Sequence, residues 1–246
     1  MLKRFVMALC AVALMAGAAQ ARTIHFASDA TWPPMEMLDA EKNVVGFCPE
    51  VVRAMAKAGG FEADIKSTAW DGIFAGLAAG KYDVIASSVS ITEERKRAMD
   101  FSDPYFEVKQ GVVVRAGSDI KSFADLSGKT VGAQIGTSGY FTAKKAEGAT
   151  PKSYDEVGLA IEDLFNGRLD AVICDDAVAA DFALTNPNYS GKLALAFLIV
   201  PEKPEYLGFA VKKGNREVIE ILNASLKAVR ESGEYDRIFK KWFPTN

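Results

Sequence analysis

Ser87-Ser88-Val89-Ser90-Ile91-Thr92-Glu93-Glu94-Arg95, continued by Asp100-Phe101-Ser102-Asp103-Pro104-Tyr105, is the stretch that decides how this chain reads. It follows a short apolar run, Tyr82 to Ala86, of the kind that forms a buried strand. Thr92 is a good N-cap for a short charged helix, with Glu93 and Glu94 in its first turn. That places Arg95 among unpaired helix-start amides and serine hydroxyls. A guanidinium grips two oxygens at once, so this setting suits a carboxylate. Pairing of Arg95 with Glu94 or Asp100 on a solvated face is the plainer alternative, and these residues alone leave both open.

Upstream, Thr23 to Ser28 reads as a first strand and is followed by Asp29-Ala30-Thr31-Trp32-Pro33-Pro34-Met35-Glu36. Two prolines argue against helix and central strand, so Trp32 is expected on a stiff loop at a strand's C-terminal end. Open α/β sheets place ligands there. A helix begins near Pro49 and ends at Gly59-Gly60. Phe61 to Ser67 is the next expected strand, with a helix from Trp70 to Leu77 after it.

Gln110 to Arg115 is strand-like, and a strand ending at Gln134 gives way to Gly136-Thr137-Ser138-Gly139 and a helix from about Tyr140. Such a turn binds anions through its amides, but the phosphate-loop pattern is missing, which argues against nucleotides. Tyr154 to Asn166 is expected to be an amphipathic helix. Asp170 to Asp176 reads as a buried strand breaking into a helix at Asp175, with Ala177 to Leu184 as that helix. Ile199 to Tyr206, with Pro201 and Pro204, reads as a connection, and Gly208 to Val211 as a further strand.

S-S-x-S-I-T-x-E-R followed by D-F-S-D-x-Y resembles the signature of the periplasmic solute-binding proteins that feed polar amino acids to ABC importers, such as the lysine/arginine/ornithine-, histidine- and glutamine-binding proteins. The resemblance runs from Thr23 to Trp242. It implies an α/β fold of the type II periplasmic-binding-protein kind: two lobes, each a mixed sheet flanked by helices, joined by a two-strand hinge. Residues 22–105 with 206–246 form lobe one, and 106–205 lobe two.

By the same resemblance Arg95 holds the ligand α-carboxylate, helped by Ser87, Ser88 and Ser90. Trp32 and Trp70 form aromatic walls, and Asp29 meets the ligand side chain or ammonium group. Gln134 varies with specificity, and Thr137 and Ser138 add contacts to the carboxylate. Asp175 is the α-ammonium partner and Asp176 the helix cap. Relatives carry G-F-D where this chain has Gly46-Phe47-Cys48, which weakens a helix cap and the transfer of basic-side-chain specificity.

Residues 1–21 read as a signal peptide: Lys3 and Arg4, an apolar centre from Phe5 to Met15, and Ala19-Gln20-Ala21 as the cleavage site. Its removal leaves 225 residues and moves the formal charge from −3 to −5. A mildly acidic chain without a basic cluster excludes nucleic acid as a partner. With one histidine, His25, and no Cys/His cluster, neither a metal site nor a cofactor is expected. Cys48 and Cys174 are the thiols that remain, and their spacing does not decide whether they pair.

The expectation is therefore a monomeric periplasmic protein that binds an L-amino acid, polar or basic, and presents it to a membrane permease. The alternatives are a cyclohexadienyl-dehydratase-like lyase and a ligand-presenting subunit for a sensor. The lyases place an acid just after the G-T turn, where this chain has Ser138, Gly139 and Tyr140.

Overall fold

The computed structural model describes residues 21–244; the expected signal peptide lies outside them except for Ala21. Two five-stranded sheets face each other across a crevice. In the first, Glu62–Ser67, Thr23–Ser28 and Val84–Ile85 run parallel in that order, and Ala210–Lys212 and Met99–Phe101 follow. In the second, Thr150–Tyr154, Thr130–Gln134 and Ala171–Asp175 are parallel; Gln110–Arg115 comes next, antiparallel to both of its neighbours, with Leu193–Ile199 at the edge. The chain passes between the sheets along Phe106–Val108 and returns along Glu205–Leu207. These two strands pair antiparallel, with Val108 opposite Glu205.

Both sheets are mixed: the first takes Ala210–Lys212 from beyond the second crossing, while all five strands of the second lie between the crossings, with Gln110–Arg115 running against its neighbours. The central strands are buried on both faces and read as apolar runs: Val112, Val113 and Val114 in one, Ala171 to Cys174 in its neighbour. Helices cover them. Arg216–Glu231 packs Val218, Leu222, Leu226 and Val229 inward, at helical spacing. Phe47 is fully buried, with the rings of Tyr105, Phe106, Tyr235, Phe239 and Phe243 at 5.2–6.5 Å. This cluster secures the start of helix Phe47–Gly59 beside the first crossing.

Two glycines allow close approaches that shape the crevice. Gly46 has φ 129°, and a Cβ there would sit 2.4 Å from the Met35 carbonyl. A Cβ on Gly139 would meet the Ile173 carbonyl at 2.6 Å, so only glycine lets helix Ser138–Lys145 start against the strand that ends at Asp175.

Several local expectations are corrected. Trp32 is not on a loop: Thr31–Trp32, Glu36–Leu38 and Val44–Val45 make a small antiparallel sheet, with Trp32 paired to Glu36 across the diproline turn. Trp70 lies in the turn before its helix, which begins at Ile73 because Gly72, at φ 82°, sits at its N-cap. Tyr154 ends an unforeseen edge strand, Thr150–Tyr154, and the helix starts at Val157. Pro151 is tolerated there because the strand has a single neighbour. The helix after Asp175 is a short α-helix, Asp176–Ala180, followed by a π-helical segment, Asp181–Thr185.

Cys48 and Cys174 are free thiols, both fully buried. The first turn of helix Phe47–Gly59 has no side-chain cap; the Cys48 amide donates instead to the Met35 carbonyl at 2.9 Å.

Candidate functional site: a crevice between the lobes

Ends of strands from both sheets converge on one narrow crevice. It is lined by Asp29, Trp32, Trp70, Ser87, Ser88, Ser90 and Arg95 from lobe one, and by Gln134, Thr137, Ser138 and Asp175 from lobe two. Every residue singled out in the sequence lies there, and Glu36 joins them. The topology accounts for this: Asp29 follows the first strand, Ser87 follows Val84–Ile85, and Gln134 and Asp175 end their own strands.

In lobe one, the Asp29 amide donates to Ser87 Oγ at 2.8 Å, and the Thr31 hydroxyl donates to Asp29 Oδ1 at 2.8 Å. Ser88 takes a left-handed conformation, φ 46°, which directs its hydroxyl to Glu36 Oε2 at 3.1 Å. Thr92 caps helix Glu93–Ala98, accepting from the Arg95 amide at 3.1 Å.

The Arg95 guanidinium donates to the Ser90 carbonyl at 3.0 Å and, across the crevice, to the Gly136 carbonyl at 3.1 Å. It also lies against the Trp70 and Phe74 rings, at 5.6 and 5.1 Å from their centroids. The solvated alternative does not hold. Asp100 is taken by Lys213 Nζ at 2.6 Å and the Gly214 amide at 2.7 Å, while Glu94 is exposed. A guanidinium has five N–H donors, so Arg95 keeps three beyond these two bonds.

In lobe two, Gln134 Nε2 donates to Asp29 Oδ2 and to the Asp155 carbonyl, both at 2.8 Å. The Thr137 hydroxyl caps helix Ser138–Lys145, accepting from the Tyr140 amide and donating to the Gln134 carbonyl. Ser138 Oγ reaches Ser90 Oγ at 3.0 Å. Asp175 Oδ1 accepts from Gln110 Nε2 at 2.9 Å and Oδ2 from Trp32 Nε1 at 3.2 Å. Asp176 accepts from the Ala177 amide at its helix start. Among the described residues four of these bonds cross the crevice: Gln134 to Asp29, Trp32 to Asp175, Arg95 to Gly136 and Ser138 to Ser90.

The electrostatics are unusual for so small a volume. Burial raises Asp175 to a pKa of about 7; the charges of Glu205 and Asp176 add to the rise, and the Gln110 and Trp32 hydrogen bonds oppose it. Burial pushes Glu36 well above the ordinary carboxyl range, with the charges of Asp29 and Asp175 adding to it. Asp29 is also raised by burial, against its bonds from Gln134 and Thr31. Burial lowers Arg95, although Asp175, Glu205 and Glu94 favour its charge. Three buried carboxyl groups thus share one cation, and Glu36 Oε1 has no hydrogen-bond partner among the described residues.

Sequence reasoning missed Glu36, Gln110 and Glu205. For Glu36 a signal existed: the three-residue turn Pro33-Pro34-Met35 makes it the cross-strand partner of Trp32, facing the same side. Among the described residues no group of three or more His, Cys, Asp or Glu side chains is arranged to hold a metal ion. No described helix is long and apolar enough to cross a membrane.

A probable histidine-binding protein of Neisseria gonorrhoeae is 41% identical over 227 residues, covering 90% of this chain and 83% of the relative. ABC transporter arginine-binding protein 1 of Escherichia coli (strain K12) is 35% identical over 249 residues, covering 99% and 100%. Among solved structures, the arginine-, lysine-, histidine-binding protein ArtJ from Geobacillus stearothermophilus is 38% identical. It matches with a TM-score of 0.83, covering 92% of this chain and 96% of that one. The model of the bacterial extracellular solute-binding proteins, family 3, matches residues 24–245, and the chain belongs to that family.

Proposed function

We propose that the protein captures an L-amino acid with a cationic side chain outside the cytoplasm and delivers it to an ABC importer. The observation that carries this reading is the charge inventory of the crevice: Asp29, Glu36 and Asp175 against Arg95 alone. Buried charges must be paired, or they revert to neutral forms. A zwitterion with a cationic side chain brings one anion and two cations. Its α-carboxylate takes the free donors of Arg95, and its α-ammonium group takes Asp175. The side-chain cation lies between Trp32 and Trp70 and meets Asp29 and the unpartnered oxygen of Glu36. Arginine, lysine and histidine fit this account, and the relatives described above are named as histidine- and arginine-binding proteins.

The mechanism follows from the two crossings. Opening at Phe106–Val108 and Glu205–Leu207 breaks the four bonds across the crevice and few others. Each contributes about 0.5–1.5 kcal/mol net, so together they favour the empty closed form by about 2–6 kcal/mol, small enough for the lobes to open. A ligand that touches Arg95 in one lobe and Asp175 in the other adds contacts only when the lobes meet, and so favours closure. A permease then distinguishes loaded from empty protein by shape. The protein acts as a monomer, in the periplasm where the cell has an outer membrane, after cleavage behind Ala21.

Catalysis is the weaker reading. Ser138, Gly139 and Tyr140 provide no acid after the Gly136-Thr137 turn, and the Thr137 and Ser138 hydroxyls are already engaged.

The test is calorimetry of protein unfolded and refolded to strip carried-over ligand, titrated with each common L-amino acid. Micromolar or tighter binding of arginine, lysine or histidine is expected, about −8 kcal/mol or better. Preference for an acidic or aliphatic amino acid would refute the charge argument.

A further inference from the structure

One buried polar link reaches beyond the crevice to the crossings between the lobes. Gln110 is the first residue of strand Gln110–Arg115 and lies directly opposite Asp175 in the antiparallel ladder. Its Nε2 donates to Asp175 Oδ1 at 2.9 Å and reaches Glu205 Oε2 at 3.4 Å. A single amide group therefore ties two carboxyl groups together. Glu205 is the first residue of Glu205–Leu207, the second crossing, and does not line the crevice. It is half-buried, and its Oε1 has no hydrogen-bond partner among the described residues.

We propose that Glu205 is a positioning residue for ligand capture: tied beside Asp175 by their shared Gln110 amide, its charge controls when Asp175 is available as an anion for the ligand's ammonium group. This rests on the reading of Asp175 as that group's partner.

The charged surroundings of Asp175 support a definite sign. From its own helix start comes Asp176, whose nearest compensating cation is Lys109. From the crossing comes Glu205, and from lobe one come Glu36 and Arg95. Arg95 is the one cation in this set that faces Asp175. Glu205 disfavours ionised Asp175 by direct repulsion. Glu205→Gln removes that repulsion while keeping a side chain that still bonds to Gln110. A cationic ammonium group binds the ionised carboxylate, so affinity falls as pH drops below the Asp175 pKa. Without the Glu205 charge, that fall begins at a lower pH.

The experiment is calorimetric titration of L-arginine from pH 5 to pH 8.5 into the wild-type protein, Glu205→Gln and Glu205→Asp. Wild-type affinity should fall below about pH 7, approaching tenfold per pH unit. Relative to its own pH 8 value, Glu205→Gln should bind roughly five- to tenfold better than wild type at pH 6, the effect of about one pKa unit. Glu205→Asp, which retains the charge, should restore the wild-type profile. A Glu205→Gln profile parallel to wild type, whether at the same affinity or uniformly weaker, would overturn the proposal and reduce Glu205 to packing.

A second readout needs no ligand. Thermal unfolding of the empty wild type should show stability falling between about pH 4 and pH 7, because a raised carboxyl pKa makes the folded state the stronger proton binder. In Glu205→Gln that fall should be smaller and end earlier. If wild type binds no amino acid at any pH, the functional reading fails. The unfolding profiles then still decide the link between Glu205 and Asp175, and identical profiles would reject it.

Discussion

Replacing Glu36 by glutamine separates the charge argument from simple shape. Glu36 is fully buried and accepts one hydrogen bond, from Ser88 at 3.1 Å, on Oε2. Its other oxygen is unpartnered, and burial with the Asp29 and Asp175 charges keeps its proton on well above the ordinary range. Glutamine preserves the volume and the bond from Ser88 but cannot ionise. A charge-assisted hydrogen bond to a ligand cation is worth about 1.5–3 kcal/mol. At 1.36 kcal/mol per decade, L-arginine should bind more weakly by up to roughly 150-fold, the cost of ionising buried Glu36 in the wild type reducing the difference. L-Glutamine brings no side-chain charge, so its affinity should change by less than about threefold. The assay is paired calorimetry of both ligands at pH 7.5 and moderate salt, with thermal unfolding to show that the variant folds. Equal losses for arginine and glutamine, or no loss for either, would refute the assignment of the side-chain cation to Glu36.

Other outcomes follow from the same geometry. Arg95→Ala should abolish binding of every amino acid, since it removes the crevice's one cation and its bonds to Ser90 and Gly136; unchanged affinity on calorimetry would mean the carboxylate is held elsewhere. Asp175→Asn should stabilise the empty protein at pH 8 by up to roughly 4 kcal/mol, the cost of ionising a carboxyl whose pKa rises from 3.8 to about 7. The sign reverses for capture: the same variant should lose most of its affinity, and denaturant unfolding with and without arginine reads both effects. Trp32→Phe keeps an aromatic wall but deletes the Nε1–H bond to Asp175 across the crevice. It should weaken binding by roughly three- to tenfold, the range of a single neutral hydrogen bond; a fluorescence titration checks it.

Much of the site was legible because its residues stand at strand ends that local chemistry marks. Thr92 ahead of two glutamates announces a helix start, and the structure puts Arg95 on that first turn, facing the crevice. The paired acids after Ala171–Cys174 announce a strand that breaks, and Asp175 faces the crevice as expected; Asp176, expected as the helix cap, is instead the first helical residue, Asp175 holds the N-cap position, and no side chain caps the helix. The tryptophans were found by their place after strands, although the local structure around each differed.

Hidden from the sequence were contacts that need the register between distant strands. Gln110 gains meaning only once it lies opposite Asp175, 65 residues away. Glu205 gains it only when the returning crossing pairs with the outgoing one. The edge strand Thr150–Tyr154 escaped because Pro151 and its polar neighbours do not look like a strand, and half of its ladder is open to solvent.

The most direct measurement is a crystal structure of the refolded protein grown with L-arginine. The account predicts the ligand carboxylate on Arg95 and its α-ammonium group on Asp175, with the guanidinium directed to Asp29 and Glu36 and both lobes in contact with one molecule. A ligand held by one lobe alone, or an ammonium group remote from Asp175, would contradict it.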